Sequence, residues 1–307
     1  MEPVLRVRSL NVTFPTPHGP FEAVSHVDLD IAPGETMALM GESGCGKSVL
    51  GHTILGLMDG IAEVSGSVQY RGRELRDLDG EEMRGLRGAS IALVPQSPGS
   101  ALDPVIRIGR QVDEMFVNAN GMSWKKAREL TLQHLMEVGF DEPGSIYGSY
   151  AHRLSGGMCE RAVIAMGTAL EPDLLIADEP TKGLDPGSKM RVMELLLGRS
   201  AGRSLLLITH DYYVAAACQR VAVMYSGQIV EDGPASIVLT APRHPYVKGL
   251  WQALPTNGLR PIPGAVDRNA DGGCRFMNRC PDRNGDCTMP QALRTVDEAH
   301  SVRCCHA

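Results

Sequence analysis

Eight residues, "GESGCGKS" at positions 41–48, set three glycines, a lysine and a serine in an order suited to phosphate chemistry. Gly41, Gly44 and Gly46 let backbone N–H groups curl around phosphate oxygens at a helix N-terminus, Lys47 reaches the terminal phosphates, and the Ser48 hydroxyl can ligate Mg²⁺. Ser43, Cys45 and Val49 complete the stretch expected around the nucleotide. A chance glycine turn would need no particular neighbours. This one lies between a short apolar strand, "GETMALM" (34–40), and a segment with helical apolar spacing, "SVLGHTILGLM" (48–58), the setting that a phosphate-binding loop (P-loop) requires. Such a loop also needs a carboxylate on a neighbouring strand. "LLIADEP" (174–180) supplies Asp178 for the metal, and Glu179 directly after it suits the general base that polarises an attacking water.

A second anion site is written into "RLSGGMCERAVIAM" (153–166), where Ser155, Gly156 and Gly157 open a helix whose free N–H groups and dipole favour negative charge. The chain already has one phosphate loop, separated from this segment by a helical insert, so the economical arrangement is that the second site completes the phosphate site of a partner. L-S-G-G ahead of a helix resembles the signature of ABC-type ATPases, and the other elements of that family occur in order. The resemblance implies that Gln96 contacts Mg²⁺ and the attacking water and links the insert to a membrane partner. It also implies that Asp185 of "GLD" (183–185) lies at the dimer interface, that His210 contacts the γ-phosphate, and that Phe14 stacks on adenine, with Phe21 as the fallback. Two such domains then sandwich ATP head to tail, and hydrolysis releases them. The chain departs from the commoner family pattern at Met158, Cys159 and Glu160 after L-S-G-G and at Lys182 and Gly183 before Leu-Asp, without losing a catalytic group; Met158 is usual in the peptide-importer branch.

"APRHPYVKGLWQALP" (241–255) and "PIPG" (261–264) resemble the segment that follows the ATPase domain in dipeptide, oligopeptide and nickel importers. For partners, this likeness implies a second ATPase subunit, identical or different, two transmembrane permease subunits and, indirectly, an extracytoplasmic solute-binding protein. It implies a place on the cytoplasmic face of the membrane and, as solute, peptides or a related small solute such as a nickel chelate. The alternative is a soluble ABC-type ATPase working as a mechanical switch on nucleic acid or ribosomes; such chains usually fuse two ATPase domains or carry long coiled coils, and this one has neither.

Three cysteines fall within "GGCRFMNRCPDRNGDC" (272–287) with the spacing C-x5-C-x6-C, and Cys304 and Cys305 follow near the end. Paired C-x2-C knuckles, the usual zinc pattern, are missing, while thiolates on an irregular loop are compatible with an iron–sulfur cluster. The resemblance implies a [4Fe-4S] cluster on Cys274, Cys280, Cys287 and Cys305, with Cys304 as the alternative fourth ligand; zinc or unliganded thiols remain the plainer readings. Cys45, Cys159 and Cys218 read as small packing residues.

The elements that must position these groups follow from periodicity. Alternation over residues 5–31 and 66–75 predicts antiparallel strands, helical spacing over 100–152 predicts an insert, and α/β alternation resumes from residue 156 to 210. "RVAVMYSGQIVEDG" (220–233) predicts a hairpin turning at Ser226-Gly227, and the prolines beyond it a loop-rich appendix. With these elements, the resemblance implies an α/β fold: a P-loop NTPase (RecA-like) ABC core over residues 1–235 with an N-terminal antiparallel β subdomain and a helical subdomain at about 98–165, then a small metal-binding domain over 236–307. A hydrophobic fraction of 43% supplies ample core, and a net charge of −6 without a basic run speaks against nucleic acid. "MEPVLRVRSLNVTF" has no secretory pattern and no apolar run approaches the ~20 residues that span a bilayer, so the expectation is a reducing cytosol, where a disulfide framework is disfavoured.

Overall fold

The computed structural model describes residues 2–266, 272–297 and 299–307. β1 (Leu5–Phe14) and β2 (Phe21–Ile31) pair antiparallel with Leu5 opposite Ile31 and Phe14 opposite Phe21. β3 (Thr36–Met40) runs into the glycine-rich loop and α1 (Lys47–Ile54); β4 (Glu63–Tyr70) then returns to pair with β1, and β5 (Arg73–Glu74) pairs with β4. The next helix, α2 (Gly80–Leu86), is absent from the periodicity reading. Its signal is a capping box: Asp79 accepts from the Glu81 and Glu82 amides while the Glu82 carboxylate accepts from the Asp79 amide.

β6 (Ile91–Val94) precedes α3 (Pro98–Ala101), α4 (Ile108–Asn120), α5 (Trp124–Glu137), α6 (Pro143–Gly148) and α7 (Gly156–Thr168); α4 and α5 are the helices that the insert's spacing predicts, α7 begins where alternation is expected to resume, and the short α3 and α6 are additions. Alternation resumes with β7 (Leu174–Asp178), α8 (Pro186–Arg199) and β8 (Ser204–Thr209). α9 (Tyr212–Ala215), β9 (Arg220–Tyr225), β10 (Gln228–Pro234), α10 (Ala235–Val238), α11 (Pro245–Gln252), β11 (Arg294–Asp297) and β12 (His300–Val302) close the chain.

These elements form two compact units: Met1–Ile31 with Glu35–Arg76 and Ile208–Ala307, and Ala32–Gly34 with Asp77–Leu207. In the first, an antiparallel sheet runs in the order β2-β1-β4-β5, and a second set of strands runs β11-β12-β10-β9-β3. β3 and β9 are parallel, with Met37 opposite Arg220 and Met40 opposite Val223. The predicted hairpin joins β9 to β10, and its two turn residues, Ser226 (φ +45°) and Gly227 (φ +86°), have the positive φ that a type I′ turn demands. The appendix contains the expected loops and also contributes β12, which pairs with β10 with Glu231 opposite Val302.

In the second unit β6 and β7 are parallel, Ile91 opposite Leu174, and β8 lies beside β7. Every residue of β7 and of β8 is buried, which explains why both read as unbroken apolar runs rather than alternations. The insert packs through Val112 and Phe116 of α4, Ala127 of α5 and Ala169 beyond α7. Full burial of side chains the size of Val or Phe contributes roughly 1.5–3 kcal/mol each. Among the described residues no helix is long and apolar enough to cross a membrane.

Candidate functional site

Gly46 occupies the N-cap of α1 at φ +111°, and a Cβ there would lie 2.3 Å from the Ala23 carbonyl oxygen; at Gly41 (φ +152°) a Cβ would lie 2.2 Å from that of Met224. The loop therefore passes so close to β2 and β9 that only glycine fits at these two positions. Lys47 is buried, and its Nζ donates to the Gly41 carbonyl at 2.7 Å and the Glu42 carbonyl at 3.1 Å. A cavity of about 150 Å³ opens beside it, with Phe14, Phe21, Ala23 and Val49 as apolar wall and Gly44, Gly46, Lys47 and Ser48 as polar wall. Both phenylalanines line it because they stand opposite each other in the β1–β2 pair. A second cavity, of about 290 Å³, brings His210 together with Gly41, Glu42 and Ser43, and is walled by Tyr212, Leu250 and Leu254. Cys45 is buried, and burial pushes its thiol up from the ordinary range.

In the second unit Asp178 ends β7 and Glu179 follows it, both buried, with Glu179 held at φ +49°. A left-handed backbone on a buried, non-glycine residue costs roughly 1–3 kcal/mol and is characteristic of functional positions. Gln96 stands two residues beyond Val94, which pairs with Ala177, so the β6–β7 register brings Gln96 to the same strand edge as Asp178 and Glu179. Ser155 caps α7 by accepting from the Met158 amide at 3.3 Å. Ser155 and Gly157 line a cavity of about 90 Å³ together with Ser188, Arg161 and Arg191, whereas Gly156 is not part of that lining. Asp185 caps α8, accepting from the Ser188 amide at 3.0 Å, and hydrogen bonds from the Ser188 side chain and amide hold its carboxyl below the ordinary value. The two arginines escape a motif reading because they lie on different helices; they add positive charge to a helix N-terminus already suited to an anion.

A family model described as ABC transporter matches residues 24–182, and one described as oligopeptide/dipeptide transporter, C-terminal region, matches residues 230–287. The chain belongs to the ABC transporter family. The dipeptide transport ATP-binding protein DppD of Bacillus subtilis is 41% identical, with 99% of this chain and 95% of that protein covered. The oligopeptide transport ATP-binding protein AppD of the same organism is 38% identical, covering 99% and 97%. Among solved structures, an ATP-binding cassette captured as a dimer with ADP and phosphate superposes with a TM-score of 0.68 at 27% identity, covering 75% of this chain and 98% of that one. The protein cbiO1 of Clostridium perfringens, part of the ABC transporter complex cbiONQ, gives a TM-score of 0.65 at 26% identity over 79% and 97%. The fold is thus that of an ABC ATPase core, and ATP with Mg²⁺ fits it.

Of the departures of this ABC transporter chain from the commoner pattern, one has a local physical reason and another a local physical cost. Gly183 sits at φ +75°, a conformation that favours glycine over the side chains commoner there. Glu160 lies buried within α7, and its Oε1 meets no hydrogen-bond partner among the described residues. Burial pushes its carboxyl up to about 8, against an ordinary 4.5. The folded chain therefore keeps a proton on Glu160 that the unfolded chain releases above pH 4.5, so the stability this group contributes at low pH is lost as pH rises to about 8 and stays lost above it. Glu160→Gln, which keeps the shape without the titration, is expected to raise the unfolding midpoint at pH 8 by an amount equivalent to a few kcal/mol and to flatten the loss of stability above pH 4.5. Denaturant melts at pH 5 and pH 8 measure this, and equal pH dependence in the two proteins would refute it.

The H-P-Y motif of the appendix has a structural meaning in this ABC transporter chain. His244 Nδ1 accepts from the Tyr246 amide at 3.1 Å and so caps α11, Pro245 occupies the first turn, and the Tyr246 hydroxyl accepts from the Glu42 amide of the P-loop at 3.0 Å. Complete burial drives His244 down to about 3, so its ring stays neutral. Beyond it, Cys287 and Cys305 place their Sγ atoms 3.6 Å apart, and His306 Nε2 joins them within 4.8 Å. A Cβ on Gly273 would lie 2.6 Å from the Cys287 carbonyl oxygen; its absence lets the Cys274 amide donate to that oxygen at 2.8 Å. Cys274 and Cys280 lie near enough that neighbouring thiolates, Cys287 among them, add to the burial that raises both, Cys280 to about 11. The Cys304 sulfur instead accepts from the His306 amide at 3.4 Å. Thiols that raise one another are a donor set that a cation would relieve, so these residues fit a thiolate-bound metal group; His306 joins the cysteines as a candidate.

Proposed function

We propose that this chain is the ATP-hydrolysing subunit of an ABC importer for peptides, with a nickel chelate as the alternative solute. It works at the cytoplasmic face of the membrane as half of a head-to-tail ATPase dimer, whose other half is a second copy or a different ATPase. The dimer docks on two permease subunits served by an extracytoplasmic binding protein. The observation that carries this reading is the pairing of a P-loop cradle with a separate anion site at Ser155 and Gly157, lined by Arg161 and Arg191. Full-length likeness to proteins named for dipeptide and oligopeptide transport supports import over the nucleic-acid alternative.

In this reading residues 1–235 form the ATPase domain, with its helical subdomain at about 98–165, and 236–307 the metal-binding appendix. Phe14, or Phe21, stacks on adenine; the amides of Gly41–Val49 and Lys47 hold the phosphates; Ser48, Asp178 and Gln96 would hold Mg²⁺, which neutralises charge gathering on the phosphate oxygens. Glu179 takes the proton from the water that attacks the γ-phosphorus as the bond to the β-phosphate oxygen breaks, and His210 contacts the γ-phosphate. The partner's ATP meets Ser155, Gly156 and Gly157, with Asp185 nearby. Cys274, Cys280, Cys287 and Cys305 hold a [4Fe-4S] cluster, with zinc as the alternative, as a structural staple for a short appendix. Lys47→Ala tests the nucleotide site directly: ATP affinity of the purified chain is expected to fall at least tenfold, and undiminished binding would undo the assignment.

A further inference from the structure

The cysteine segment does more than gather thiols. Arg279, next to Cys280, has a side chain only 7% exposed and forks onto Glu42 of the P-loop, Nη1 to Oε2 at 3.0 Å and Nη2 to Oε1 at 3.1 Å. Its Nε donates to the Pro263 carbonyl at 3.1 Å, which fixes the plane of the guanidinium. Arg275, next to Cys274, donates to the Ser226 carbonyl at 2.5 Å, and the adjoining Gly227 amide donates to the Cys45 carbonyl at 2.8 Å. The segment thus grips the P-loop directly at Glu42 and supports it indirectly at Cys45. Glu42 is secured at three points, its carboxylate by Arg279, its amide by the Tyr246 hydroxyl and its carbonyl by Lys47 Nζ at 3.1 Å. A shift of Glu42 would therefore carry with it an oxygen that orients Lys47.

We propose that Arg279 is a positioning residue for ATP binding: through its bidentate pair with Glu42 it fixes the backbone that aims Lys47, so that the appendix sets the affinity of the nucleotide site. A planar fork suits this task because two parallel hydrogen bonds fix orientation as well as distance. The proposal rests on the P-loop reading above.

The test is a double-mutant cycle on the full chain, with Mg·ATP as the probe and ATP affinity, KM, kcat, metal content and melting temperature as readouts. Arg279→Ala is expected to weaken ATP binding about tenfold and to raise KM far more than it lowers kcat. Glu42→Gln should do the same, the double variant should be little worse than either single one, and Arg279→Lys should recover part of the loss. Metal content should stay that of the unsubstituted chain. A folded Arg279→Ala that binds ATP normally, or single effects that add, would overturn the proposal, because a merely structural arginine would move only the melting temperature. Should Arg279→Ala fail to fold, Glu42→Gln decides, since it leaves the cysteine segment intact, and normal ATP affinity there overturns the proposal. Lys47→Ala separates the two levels: its failure to weaken binding would remove the P-loop reading itself, whereas weakened binding in Lys47→Ala beside normal binding in Arg279→Ala and Glu42→Gln would overturn only the role of Arg279.

Discussion

Replacing Glu179 by Gln is expected to lower ATP turnover ~10²–10⁴-fold while leaving ATP affinity and ATP-driven dimer closure in place. Gln has the size and hydrogen-bonding reach of Glu but cannot accept the proton of the attacking water, so the substitution removes the chemical step and little else. Glu179 is buried at the end of β7 and held at φ +49° by its surroundings, so the new side chain starts from the same place. Single-turnover hydrolysis against nucleotide binding measures the split. Turnover within tenfold of the unsubstituted chain would assign the base elsewhere.

The second large effect concerns the thiols. Full chain purified without oxygen is expected to contain iron and acid-labile sulfide, and Cys287→Ser to lose both together with several degrees of melting temperature. Cys287 is the natural target because it touches the set most widely: its Sγ lies 3.6 Å from that of Cys305 and its carbonyl receives the Cys274 amide. Cys305 is pushed up to about 12, by burial first and then by its neighbour Cys287, and Cys280 to about 11. Without a cation these thiols hold their protons at neutral pH, and ligation must release them, so affinity for the metal rises with pH. A colourless protein that holds zinc and no labile sulfide would remove the cluster and leave the site.

Much of this site is legible in local spacing. The strand, glycine loop and helix around Lys47, the Ser226-Gly227 turn and the helix start at Ser155 and Gly156 are each set by residues within a few positions of one another, and the structure forms them where the pattern says. Contacts between remote residues leave no such trace. Glu42 and Arg279 are separated by 237 positions, and neither letter announces the other. Glu160 shows the opposite failure: its place in a helix is readable, but whether that face meets solvent or core depends on packing. Arg161 and Arg191 converge on one cavity from two helices, which no periodicity reports. The paired strands at the chain's end are short, four and three residues, and read as loop because β10, the strand that β12 joins, is distant in sequence.

The pairing of β12 with β10 bears on how this protein can be cut. A fragment ending at Pro234 would turn β10 into an open edge, with unpaired N–H and C=O groups ready to recruit strands from other molecules. It would also strand a carboxylate. Glu231, fully buried, accepts from the amides of Arg243 and His244 and from His300 Nε2 at 2.9 Å, all three contributed by residues after the cut. The catalytic core borrows its outer wall from its own tail, so a truncated cassette invites aggregation rather than yielding a minimal enzyme.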